Sequence, residues 1–241
     1  MPTPAAVERL VTTRSGAESW VLLYRVAMVA ALTSAVCIPV QVTVFLLRPP
    51  PLEGTTVDWF TLLREHRFAA LIDLDLLLVA DNVLLIPILL ALGVALRSAD
   101  RSARLLTVAL GMTSAVLYVA TNPAIQMAGL SEQYAAAATE PDRAAITAAG
   151  TAALATWQGT AFHVAYLLGS AAGILLGIMM LRGGVFSRPV AWLAIVANTT
   201  GLGLYVPGVG VFIAVFSVLF LEIWYVLISM RLHRLGRPGG G

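Results

Sequence analysis

LIDLDLLLVADNVLLIPILLALGVAL, residues 71–96, is long enough to cross a bilayer, since about 20 apolar residues span its hydrocarbon core. Yet it carries Asp73, Asp75 and Asp81, with Asn82 beside the last. An aspartate at the centre of a spanning helix costs roughly 2.5–3.5 kcal/mol, whereas each surrounding Leu, Ile or Val returns only about 0.3–0.6 kcal/mol. The helix therefore inserts on a narrow margin. Asp73 and Asp75 are expected near its outer end, within reach of headgroups or water. Asp81 and Asn82 lie about ten residues in, where a polar pair has to face other protein or a water-filled cavity.

The flanking chain has the composition of a membrane protein. Hydrophobic residues make up 59% of the 241, charged residues 12%, and the mean hydropathy is +0.87, far from a soluble average. This predicts one all-α polytopic transmembrane bundle without a separate soluble domain. The net charge of +2 and pI near 9.0 do not call for nucleic acid, because the basic residues gather at helix ends as topology signals. Every basic residue is an arginine, a compositional bias. The only cysteine, Cys37, lies inside the first apolar run, so neither a disulfide framework nor a cysteine metal site is expected. Val36 before it does not suit a lipoprotein cleavage site. The run Val21–Leu47 also exceeds the roughly 7–15 residues of a signal-peptide core and is expected to remain as a helix.

Six spans follow along the chain. Residues 1–19 read as a cytoplasmic tail and 20–231 as a single six-helix domain, with 232–241 a basic disordered tail. The first helix covers about Trp20–Leu47 and stops at Pro49, Pro50 and Pro51. Val57–Phe68 alternates apolar and charged positions and suggests a short interfacial helix. The opening stretch is the second span, with Pro87 expected to bend it. Leu105 to about Met127 is the third, ending near Pro123. An alanine-rich helix from Asp142 leads to the fourth, Trp157–Leu181. Val190–Tyr205 and Val211–Met230 are the fifth and sixth, joined by a tight turn at Pro207-Gly208-Val209-Gly210.

Arginine placement orients the bundle. Arg9, Arg14, Arg25, Arg97, Arg101, Arg104, Arg182, Arg188, Arg231, Arg234 and Arg237 fall on one side; Arg48, Arg64, Arg67 and Arg143 fall on the other. The positive-inside rule then puts both termini in the cytoplasm. No internal repeat of the kind that marks many secondary transporters is evident.

Depth sorts the polar residues. Glu222, Asn198, Asp81 and Asn82 are expected in one layer near the midplane. Toward the outside the third helix carries Ser114, Tyr118, Asn122 and Gln126 at four-residue intervals, a stripe on one face. The fourth carries Gln158, His163, Tyr166 and Ser170, the last three sharing a face, and Tyr205 ends the fifth. Asp75 and Asn82 share a face of the second helix, with Asp81 about 100° away. Converged, these faces would form a polar funnel open outward and closed at Asp81 and Glu222. No Lys or Arg lies at that depth, so these two carboxyls must be protonated, hydrated or share a proton. They are the candidate acid/base pair. Asp75, Asn82, Asn122, Gln126, Gln158, His163, Tyr166, Asn198 and Tyr205 are the candidate ligand contacts. Several have plainer readings. Ser114 and Tyr118 suit interhelical hydrogen bonds, Asp73 suits an interfacial pair with Arg67, and Gly169, Gly173 and Gly177 form a small-residue packing ridge. His66 and His233 fall on opposite sides from one another, so no metal is assigned, and no cofactor is expected.

DLDLLLVADNVLLIP at 73–87, TNPAIQM at 121–127 with SEQYAAA at 131–137, TWQGTAFHVAYLLGS at 156–170 and VFSR at 185–188 together resemble a family of uncharacterised bacterial six-helix membrane proteins. The resemblance covers roughly Trp59–Leu235. It implies the six-span architecture and a bacterial cytoplasmic membrane location, and brings no activity or catalytic residues.

Three kinds of function fit. One is an intramembrane protein that binds or transforms a lipophilic small molecule, such as an isoprenoid or lipid, with a buried carboxyl as acid/base group. Another is a small-solute or proton-coupled transporter relaying through Asp81 and Glu222, which six spans would suit if the protein forms a homodimer. The missing repeat and missing broken helices count against it. The third is an accessory or scaffold subunit. No nucleotide loop, HExxH or Ser-His-Asp set is present in the sequence. The outer funnel holds more polar groups than packing needs, which favours the lipophilic ligand. Membrane lipids are the expected surroundings.

Overall fold

The computed structural model describes residues 20–237, which are helical throughout their regular structure and contain no strand. The expected tails at 1–19 and 238–241 lie outside these residues. The helices are α1 (Val21–Leu47), α2 (Thr56–Glu65), α3 (Arg67–Asp73), α4 (Leu76–Ala95), α5 (Arg101–Thr121), α6 (Ala124–Ala136), α7 (Glu140–Trp157), α8 (Thr160–Gly183), α9 (Arg188–Gly201) and α10 (Gly210–Leu235). A 3-10 turn, Leu202–Tyr205, extends α9. Five helical stretches are long and apolar enough to cross a membrane: α1, α4, α5 with α6, α7 with α8, and α10.

Six of these helices form a ring in the order α1, α4, α5, α8, α9, α10, each packed on two neighbours. Small residues allow the closest approaches: a Cβ at Gly177 would run into Ile195 and the Ala191 carbonyl of α9, which bears out the packing ridge. At the arginine-rich end the ring is filled by an apolar cluster that includes Ala31, Leu92, Met180, Ala191, Tyr225 and Leu232. At the other end the two long connections fold into a cap of α2, α3, α6 and α7. Trp59, Phe60, Leu74, Met127 and Trp157 form its separate core. Outside the ring the surface is apolar, with Leu22, Val36, Phe212 and Phe216 largely exposed.

Several boundaries differ from the sequence reading, each for a local reason. The second span is not continuous from Leu71. It breaks at Leu74–Asp75, where Asp75 takes φ 64°, and α4 starts afresh at Leu76. The third ends at Thr121, because Pro123 cannot continue its hydrogen-bond ladder, and α6 is a separate helix. The alanine-rich helix α7 likewise stops before Gly159 rather than running into α8. Residues 232–235, expected in a disordered tail, continue α10. The helix expected at 57–68 divides into α2 and the start of α3. α2 is opened by a capping box in which Thr55 and Asp58 bond reciprocally, and these donors hold the Asp58 carboxyl below its ordinary range. Rather than lying alone in an interface, α2 buries Trp59, Phe60 and Leu63 in the cap.

Candidate functional site

Between the cap and the inner core lies a cavity of about 360 Å³ enclosed by α4, α5, α8, α9 and α10. Most of its wall is apolar, from residues such as Leu78, Leu85, Leu89, Ala165 and Leu221. Into this wall are set Asp75, Asp81, Asn82, Ser114, Tyr118, Tyr166, Ser170, Asn198 and Ser217. Five of the expected site residues therefore meet around one space: Asp75, Asp81, Asn82, Tyr166 and Asn198.

Asp75 is the most heavily hydrogen-bonded of these. Its Oδ2 accepts the Trp157 indole N–H at 3.0 Å and the Tyr118 hydroxyl at 3.2 Å, while Oδ1 accepts the Gln41 amide at 3.2 Å. It is the only described residue other than glycine with positive φ, a conformation that persists only where the surroundings hold it. Side-chain amides also brace the helix break: Gln41 donates to the Ile72 carbonyl, which the Asp75 N–H also bonds, and Asn122 donates to the otherwise free Leu74 carbonyl at 2.7 Å. Asp75 is thus a fixed point at the cap end of the cavity, not a residue reaching for headgroups.

Asp81 lies six residues further along α4, about 9 Å deeper at 1.5 Å per residue. It is 7% exposed; its Oδ2 accepts the Tyr225 hydroxyl at 3.4 Å, and its Oδ1 has no partner among the described residues. Ser34 of α1 lies beside it, and Glu222 of α10 is close enough for the two carboxyls to interact electrostatically. Cys37 is within the same range of both. Glu222 does not line the cavity, however; it is partly buried on the α1 side, with Oε1 unpartnered among the described residues. The two carboxyls are near one another but do not face one space. Asn82 and Asn198 each donate back to their own helix, at Leu78 and Ala194, and Gly173 leaves the room that the Asn198 amide occupies.

The remaining expected contacts lie elsewhere. Asn122 is structural, since besides bonding Leu74 it accepts the Ala124 N–H and turns the chain into α6. Gln126, on α6, and Gln158, at the end of α7, are exposed and off the cavity wall. The stripe from Ser114 to Gln126 is cut because its last two members fall beyond the end of α5. His163 and Tyr205 are also exposed and bond each other at 3.2 Å. They lie off the cavity wall and stack against two residues that do line it, Phe162 and Tyr166. The outer rim expected for the funnel is therefore not made by these residues. Ser114 does serve as interhelical glue, donating to the Ala165 carbonyl at 2.7 Å. Asp73 makes no pair with Arg67, which bonds Glu132 instead; it is 3% exposed, with both carboxyl oxygens unpartnered among the described residues.

Sequence reasoning passed over Gln41, Trp157, Trp224 and Tyr225. Gln41 is the one amide side chain in α1, and an isolated polar residue in an apolar run was its available signal. Trp224 and Tyr225 are two and three residues beyond Glu222; the ring of Tyr225 turns its hydroxyl to Asp81, while the Trp224 N–H has no partner among the described residues. Compared with protein-family models, curated proteins and solved structures, the chain matches none.

Proposed function

We propose that the protein is a six-span integral membrane protein that binds, and in its acid/base form transforms, a lipophilic small molecule within the ring. The cavity carries this reading. It has the size of a small-molecule site, a mostly apolar wall and a few placed polar groups, the combination that distinguishes such sites from packing defects. An isoprenoid or other lipid-like molecule could enter from the surrounding bilayer, with Asp81 as the group nearest to chemistry and Glu222 behind it as a second carboxyl. The family resemblance and the arginine distribution support a bacterial cytoplasmic membrane, with both termini on the cytoplasmic side. The exposed apolar exterior suits lipid contact, and a homodimer would use part of it.

A second reading, solute or proton transport, gains from the break at Leu74–Asp75, since discontinuous helices often form transporter sites. The break lies at the outer end of α4, away from the midplane where such sites usually form, so the lipophile reading keeps precedence. Filling the cavity tests it. A neutral aromatic lipophile should raise the melting temperature of the purified protein, as any ligand selective for the native state does. Ala197→Phe, at a buried wall position, should remove that rise. If the rise persists in the filled variant, the cavity is not the site.

A further inference from the structure

We infer that the cavity selects lipophilic cations, such as an aromatic amine or quaternary ammonium, over neutral and anionic lipophiles of the same shape. This rests on the cavity being the binding site and names the chemistry it would prefer. Asp75 and Asp81 both line the cavity, and among the described residues no arginine or histidine does. The chain contains no lysine. Glu222, beside Asp81, adds a third carboxyl and no compensating base.

The bonding of the two wall carboxyls sharpens the point. Asp75 is held by an indole, a phenol and an amide, all neutral donors. They orient the carboxylate and leave its charge uncancelled. Asp81 has one long bond from Tyr225 and a buried oxygen without a partner among the described residues. A buried charge is costly unless it is paired, and a cation in the cavity would supply the missing pair.

Aromatic rings accompany both carboxyls. Tyr118 and Phe162, with ring centroids 6.0 Å apart, lie on the wall at the Asp75 end, and Trp224 and Tyr225, 5.4 Å apart, lie at the Asp81 end. Ring faces attract ammonium groups, most strongly where water is excluded. An anion would lose its hydration beside carboxyls, with the Trp224 indole N–H as the one unpartnered N–H donor on the wall among the described residues to set against that. Phosphate-bearing lipids are therefore poor occupants, and the preference falls on molecules whose polar end is an amine.

Three probes on one butylphenyl scaffold test this, carrying trimethylammonium, its neutral isostere tert-butyl, or the smaller carboxylate. Equilibrium dialysis against the full chain in neutral detergent, with protein-free micelles as blank, gives their affinities. The ammonium should bind about tenfold more tightly than its neutral isostere, equivalent to ~1.4 kcal/mol, and the carboxylate no more than the blank. Asp81→Asn and Asp75→Asn should each collapse the ratio of ammonium to neutral binding toward one. Either variant suffices if the other fails to fold. Equal binding of ammonium and neutral probes, lost for both in Ala197→Phe, overturns the charge preference and leaves the cavity as a lipophile site. Tighter binding of the carboxylate overturns it as well. Saturable binding of none of the three defeats both this inference and the site beneath it.

Discussion

At the scale of single residues the acidic side chains divide by their partners. Asp75 has three donors and Asp81 has one, while Asp73 has none among the described residues although it is buried. A buried polar atom left without a hydrogen bond costs about 1–3 kcal/mol, and a charged one more. Asp73 does not line the cavity, so neither ligand nor hydrogen bond offsets this cost. Replacing it with an apolar residue of similar size should therefore stabilise the fold. Asp73→Leu is expected to raise the melting temperature by a few degrees and leave probe binding unchanged. A fall in melting temperature would reveal a partner for Asp73 and change its reading from liability to structural contact. Of the acids, Asp81 was legible from sequence because depth alone makes an intramembrane carboxylate conspicuous. The burial of Asp73 was not, since an aspartate near a helix end reads as interfacial until the cap is seen to cover it.

Among the elements, the decisive one is the break between α3 and α4. It frees the Leu74 carbonyl and places Asp75 in a left-handed conformation. Gln41 from α1 and Asn122 from the end of α5 close it with side-chain amides. Asn122→Leu should destabilise the protein by about 1–3 kcal/mol through the orphaned Leu74 carbonyl, and Gln41→Leu by less, because the Asp75 N–H still bonds Ile72. Because both amides hold one break, the double variant should lose measurably less or more than the sum of the singles. Strict additivity in thermal unfolding would show that the break needs no shared staple. The spans were readable because bilayer thickness sets a length that apolar runs must match, and α1, α4 and α10 meet it within a few residues. The break was not readable from 71–96 alone, for its supports come from 31 and 48 residues away. The four-residue stripe misled for a related reason. A face is continuous only while the helix is, and Pro123 ends α5 before Gln126 is reached.

For the whole molecule, the open question of mechanism reduces to how many times the chain crosses. Five stretches satisfy length and hydropathy by themselves, and α9, with 14 residues, does not. Yet α9 occupies a place in the ring between α8 and α10, lines the cavity through Ala194, Ala197 and Asn198, and is lengthened by the 3-10 turn. At 1.5 Å per α-helical residue and ~2 Å per 3-10 residue, the two reach about 29 Å, close to the thickness of the hydrocarbon core. On the proposed six-span reading that length suffices for a sixth crossing, and the arginine distribution would then put both ends of the described chain in the cytoplasm. The prediction is sharp because an even and an odd number of crossings give opposite answers at the C-terminus. Reporter tags at both ends should read cytoplasmic, and single cysteines within 131–142 and 206–209 should react with a membrane-impermeant thiol reagent added outside. If α9 instead folds back without crossing, the C-terminal tag becomes external while the N-terminal one stays inside. The cap, with α2, α3, α6 and α7, would still face outward. The inner core, however, would no longer have Arg188 and Arg231 on one side, and the ring that encloses the cavity could not stand across the bilayer.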